Sequence, residues 1–162
     1  MTLWCSPAPE GFMACHLDVP EEADLAPMVD IFRELLLREK IQNHPVIGNV
    51  VREVVKRGLR SDVYDGVDAI PYNRLKEIQA EYGMGFWDAI FALYGPKEII
   101  EYNYRKIQEA FEAIPGSKLD GTAYYPQTGG KYLAASDVPY DLQAGVPGMG
   151  PLSAIEYLNR DG

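Results

Sequence analysis

The chain has 162 residues, close to half of them hydrophobic and 24% charged, with a formal net charge of −9. That length suits one domain with a buried core. The acidic balance and scattered Lys and Arg exclude a nucleic-acid or anionic-membrane surface, since phosphate binding needs clustered cations.

No basic stretch followed by a long apolar run opens the chain, so neither a signal peptide nor a membrane span is expected. Gly11 to Val19 reads as a short strand. Asp24 is placed to cap a helix from Leu25 to about Arg38, with Pro27 tolerated in its first turn. Leu25, Met28, Phe32, Leu35 and Leu36 supply its buried face. Val46, Ile47, Val50, Val51, Val54 and Val55 pair at a spacing of four, which favours a helix, although so many β-branched residues favour a strand; helix is the preferred reading. Arg52, Lys56 and Arg57 interrupt it as a solvated face.

Asp62 to Ile70 is a polar connection, and Pro71 opens a further helix that carries Tyr72, Leu75, Ile78 and Tyr82 before Gly83 closes it. The apolar run Phe86 to Tyr94 is too short for a free-standing helix and rich in aromatic and branched residues, so it reads as a buried strand. Gly95 turns the chain and Pro96 suits the first turn of the next helix. There Ile100, Tyr104, Ile107, Phe111 and Ile114 share one face that must lie on a sheet. Ser117 to Tyr125 returns as an extended segment. The expected fold is α+β, a mainly antiparallel sheet covered by helices.

From Pro126 to Pro151 the chain is rich in Gly and Pro, and Gly145, Gly148 and Gly150 are broken by Pro147 and Pro151, unlike a phosphate loop. The expected organisation is an α+β domain over 1–125, incomplete, and a wrapping segment over 126–162 that ends in a truncated element with Leu152, Ile155, Tyr157 and Leu158. Cys5 and Cys15 are too far apart for a redox pair and read as free thiols. His16 and His44 have no carboxylates spaced to complete a metal site.

Several segments together resemble one family. The string Gly85-Phe86-Trp87-Asp88-Ala89-Ile90-Phe91-Ala92-Leu93-Tyr94-Gly95-Pro96, the acidic-aromatic helix after it and Ile114-Pro115-Gly116-Ser117-Lys118-Leu119 are similar to the substrate, or cap, domain of the vanillyl-alcohol oxidase and 4-cresol dehydrogenase flavoproteins. Upstream, Ile41 to Asn49 and the Asp24 to Ile31 helix also resemble that family. Downstream, so do Gly145-Val146-Pro147 and the Leu152 to Leu158 run.

The resemblance implies a FAD-dependent oxidation of para-substituted phenols of the 4-cresol, vanillyl alcohol or eugenol type by hydride transfer to flavin. It also implies that FAD is held by a separate binding domain, in cis or in trans, because no Gly-rich pyrophosphate loop is present. A cytochrome c is the implied electron acceptor in the dehydrogenase branch, and a homo-oligomer is compatible. The expected setting is cytoplasmic, with the periplasm as the dehydrogenase alternative. The family's catalytic tyrosines and arginine match no residue of this chain, so no catalytic, cofactor-binding or metal residue is assigned. Phenol-oxidising sites use aromatic walls and cations, which makes Arg52, Trp87 and Tyr94 the substrate-binding candidates; for each, simple packing or solvation is the competing reading. Alone, the chain is expected to be inactive. The alternatives are a non-catalytic phenol-binding module and a subunit that completes a separate FAD-domain chain.

Overall fold

The computed structural model describes residues 8–57, 59–127, 129–134 and 137–138, the side chains of 55–57 apart. Eight principal elements follow in chain order: β1 (Phe12–Val19), α1 (Leu25–Leu37), β2 (Val46–Asn49), α2 (Val50–Arg57), α3 (Tyr72–Tyr82), β3 (Trp87–Tyr94), α4 (Lys97–Phe111) and β4 (Lys118–Tyr124). The strands form one sheet in the order β2-β3-β1-β4, and every neighbouring pair is antiparallel. The α+β expectation therefore holds.

The aromatic run Phe86 to Tyr94 becomes a central strand, in register with β1 from Phe12↔Tyr94 to Val19↔Trp87. Successive strand side chains face opposite ways, so Ala89, Phe91 and Leu93 join Met13, Cys15, Leu17 and Val19 on one face. α1 and α4 cover that face with Met28, Phe32, Leu35, Ile100, Ile107 and Phe111, joined by Ile114 just past α4, all buried. Phe32 sits at the centre, edge-on to Phe91 at 5.5 Å and to Phe111 at 5.0 Å between ring centroids. The Tyr104 hydroxyl donates to the Leu119 carbonyl at 2.9 Å and ties α4 to β4. A second apolar cluster of Val50, Val54, Val63, Ile78 and Phe86 seats α2 and α3 beside the sheet.

The valine-rich segment departs from the helical reading. Val46 to Asn49 is a strand, paired from Val46↔Ile90 to Asn49↔Trp87, and the helix begins only at Val50. β-branched side chains fit the pleat beside β3, whereas Val50 and Val54, four apart, are buried on one helical face. Pro96 lies just before α4 with an extended ψ of 151°, rather than inside its first turn. Asp24 precedes α1 without a side-chain capping bond. Tyr72 and Tyr82 are 50% and 41% exposed, with the Tyr72 ring 6.0 Å from that of Phe86, which shares a buried cluster with Ile78. Gly83 does close α3, with φ of +62°, a conformation that costs glycine no steric penalty. The expectations for Cys5, the 139–151 loop and the Leu152 to Leu158 run fall outside the described residues.

Candidate functional site

The second face of the sheet carries the polar groups. The registers arrange it in four rows across the strands: Gly48, Asp88, Asp18 and Lys118; Val46, Ile90, His16 and Asp120; Ala92, Ala14 and Thr122; then Tyr94, Phe12 and Tyr124. One end is thus charged and the other aromatic. Val138 and Leu133 pack over Phe12 and Ala92 at the aromatic end, and the Leu133 N–H donates to the Pro9 carbonyl at 2.9 Å, anchoring this covering segment. Between the two ends, Ala14, His16 and Ile90 are only half-buried, leaving a strip of apolar floor open beside ionisable groups. A cleft of about 390 Å³, lined by Asp18, Lys76, Gln79, Met84, Gly85 and Lys118 among others, adjoins the charged end.

Arg52 reaches this face from the first turn of α2. Its Nη1 donates to Asp88 Oδ2 at 2.9 Å, and Asp88 is 1% exposed while the Arg52 side chain is 31% exposed. The backbone N–H of Arg52 donates to Asn49 Oδ1 at 3.3 Å, which fixes the helix start under the guanidinium. Glycine at position 48 makes the pair possible: a Cβ there would stand 2.4 Å from Arg52 Cδ and 2.6 Å from Asp88 Oδ1. The guanidinium is therefore not on a purely solvated surface; one nitrogen is engaged by a buried carboxylate, and a planar fork retains further donors.

Trp87 lies on the opposite, helix-facing side, against Phe86 at 5.5 Å between ring centroids, and its Nε1–H donates to the Glu22 carbonyl at 2.9 Å. Tyr94 shares the polar face with Arg52 but stands at the far end of β3. Its ring packs on Phe12 at 5.4 Å, and burial pushes its phenol pKa up, so the hydroxyl stays protonated at neutral pH. The three candidates from sequence are thus not brought together: Arg52 and Tyr94 frame the two ends of one face, and Trp87 buttresses the other.

Sequence reasoning missed Gly48, Asp88 and Asp18. The visible signal was Asp88 itself, a carboxylate inside an otherwise apolar strand, where burial demands a partner. Among the described residues, no group of three or more His, Cys, Asp or Glu is placed to hold a metal ion. No described helix is long and apolar enough to cross a membrane. Burial pushes the Cys15 thiol up to about 12, which makes it a packing residue rather than a nucleophile.

No family model matches the chain. It is 29% identical over 120 residues to the flavoprotein subunit of 4-cresol dehydrogenase [hydroxylating] from Pseudomonas putida, covering 74% of this chain and 23% of that protein. A crystal structure of p-cresol methylhydroxylase with substrate bound superposes with a TM-score of 0.71 at 26% identity, over 90% of this chain and 28% of the other. The 4-ethylphenol oxidase from Gulosibacter chungangensis, in complex with isoeugenol, gives a TM-score of 0.75 over 95% of this chain and 30% of its own; at 17% identity it attests the fold alone. The chain spans less than a third of the length of each of these relatives. In sequence order and in fold alike, it matches the cap-domain portion of the vanillyl-alcohol oxidase and 4-cresol dehydrogenase family of flavoproteins.

Proposed function

We propose that the chain is the substrate-domain part of a FAD-dependent oxidoreductase that oxidises para-substituted phenols of the 4-cresol, vanillyl alcohol or eugenol type. The observation that carries this reading is the half-open polar face on a sheet whose fold resembles p-cresol methylhydroxylase, in a chain 29% identical over 120 residues to the P. putida flavoprotein subunit. A planar, amphipathic anion suits such a face. Ile90 and Ala14 offer apolar floor, and Arg52, aligned by Asp88, offers remaining donors to a phenolate oxygen. Tyr94 adds a neutral aromatic wall at the far end, and Trp87 stiffens the strand from behind.

The described residues do not fit the FAD pyrophosphate. At the β3–α4 turn, Gly95-Pro96, proline precedes α4 and Glu98 occupies its first turn, and at the β2–α2 junction the Arg52 N–H is taken by Asn49 Oδ1 and Glu53 stands in the first turn; a cradle of free N–H groups at a helix start is what a phosphate needs. A flavin held by a FAD-binding domain, in cis or in trans, would supply the hydride-accepting chemistry in this reading. The chain's own work is to bind and orient the phenol and keep water from it. In this reading the described residues up to 125 form the lid. The net charge of −9 suits a basic protein as electron acceptor, such as a cytochrome c.

The test is purification of the native polypeptide that carries this chain, tracked by an antibody to the 98–113 helix. Expected are a flavin spectrum and its bleaching by 4-cresol or vanillyl alcohol, with no turnover by the isolated 162 residues. A native polypeptide with neither flavin nor phenol binding overturns the reading; phenol binding without flavin supports the binding-module alternative.

A further inference from the structure

The helix-covered side of the sheet holds a polar group that the fold leaves unserved. Asn103 on α4 is 4% exposed, and among the described residues nothing hydrogen-bonds its side-chain amide. Its polar atoms are not sealed off either, so the amide meets an opening rather than packed side chains. A buried amide without a partner is costly, and a group arriving from outside gains most at such a position.

The opening lies between the two covering helices. A cleft of about 360 Å³ is floored by Ile31 and Leu35 of α1 and Ala110 of α4, with Lys106 on its rim. Asn103 precedes Lys106 and Ala110 by three and seven residues, which puts all three on one edge of α4. Tyr104, one position on, turns the other way, to Leu119 on β4. Lys40, just past α1, also lines the cleft and lies 4.8 Å over the Tyr102 ring, so the amide stands at the Lys40 end.

Most charges around the cleft are already engaged. Asp30 and Glu34 on its rim are both met by Arg33, Glu34 also by Arg38, and Lys106 pairs with Glu109 at 2.6 Å. Among the described residues Lys40 is in no ion pair. An unspent ammonium and an unspent amide donor at one end of an apolar floor suit a carboxylate that carries a short apolar tail.

We propose that this cleft binds a small monocarboxylic acid, its carboxylate held by Lys40 and the Asn103 amide and its tail laid on Ile31, Leu35 and Ala110. The site is on the other side of the sheet from the polar face and stands independently of the phenol reading.

Calorimetric titration of the native polypeptide with hexanoate and 1-hexanol tests it, in wild type, Asn103→Leu and Lys40→Gln. Expected is hexanoate binding that weakens about tenfold or more in each variant, the worth of one charge-assisted hydrogen bond, with 1-hexanol already that weak in wild type. Thermal unfolding without ligand is the second readout. Leucine is close to asparagine in size and needs no polar partner, so Asn103→Leu is expected to melt no lower than wild type. Wild type that binds hexanoate no better than 1-hexanol, or variants that bind it as wild type does, overturn the site. A markedly lower melting temperature for Asn103→Leu overturns it too, since the amide is then already satisfied within the fold.

Discussion

Replacing Phe32 by alanine tests whether α1 and α4 hold the sheet as the core geometry implies. Phe32 is 3% exposed and makes two edge-to-face contacts, to Phe91 at 5.5 Å and Phe111 at 5.0 Å. Removing a buried phenylalanine ring costs about 3–5 kcal/mol in transfer and cavity terms. The two ring pairs, each worth about 0.5–1.5 kcal/mol beyond area, place Phe32 in the upper half of that range. A domain is stable by only about 5–15 kcal/mol, so the variant is expected to lose a large part of its stability. At this length, roughly 2–4 °C of melting temperature goes with each kcal/mol. Urea and thermal unfolding of the purified chain, followed by circular dichroism, measure both quantities. Leu37→Ala on the same helix is the control, since Leu37 is 72% exposed and a surface truncation shifts stability by no more than about 0.5 kcal/mol. A Phe32→Ala cost below about 1 kcal/mol, or one equal to that of Leu37→Ala, refutes the packing of α1 on β3 and α4.

Gly48→Val pushes a side chain into the Arg52–Asp88 pair and is expected to cost about 1–3 kcal/mol by overpacking; unchanged thermal unfolding contradicts the seat described for Arg52. Tyr104→Phe removes the hydroxyl bond to Leu119 and is expected to cost about 0.5–1.5 kcal/mol, with faster amide exchange along β4 as the local signature. The Cys15 thiol, raised to about 12 by burial, holds its proton in the folded state after the unfolded thiol has lost it. The folded form therefore binds more protons from pH 9 upward, and stability falls with rising pH through that window. Tyr94, Tyr104 and Tyr125 are raised in the same direction and steepen the fall. Unfolding between pH 8 and 11 is expected to show a shallower decline in Cys15→Ala than in wild type, and an identical slope disproves the thiol's part.

The helix-covered face was largely legible, because its periodicities are set by burial alone. Phe91 and Leu93 alternate, Ile100, Ile107 and Phe111 recur at helical spacing, and each lands in the core. The valine-rich segment was misread because four residues are too few to reveal a period of two before the helix takes over at Val50. The polar face resisted for a different reason. Arg52 and Asp88 are 36 positions apart, and what joins them is a cross-strand register together with a glycine that leaves room. Asp18 likewise takes its partner, the Gly85 amide, from 67 positions on. Pairings of this kind follow from strand order, which local pattern does not encode.

The two faces of the sheet also divide stability from recognition. On the helix side, Met13, Cys15, Leu17, Ala89, Phe91 and Leu93 are all buried, and a polar side chain there has no partner to compensate its lost hydration. On the other side, Asp88 and Asp18 are each held in place beside a glycine that occupies little room. Gly48 admits Arg52 to Asp88, and Gly85 brings its amide to Asp18. Both glycines are needed for close approach rather than for a turn, and each serves a polar group rather than the core. Such positions cost a fold conformational entropy without adding buried area. Beside a half-open apolar strip, what these two glycines secure is the orientation of Arg52 and of the Asp18 carboxylate.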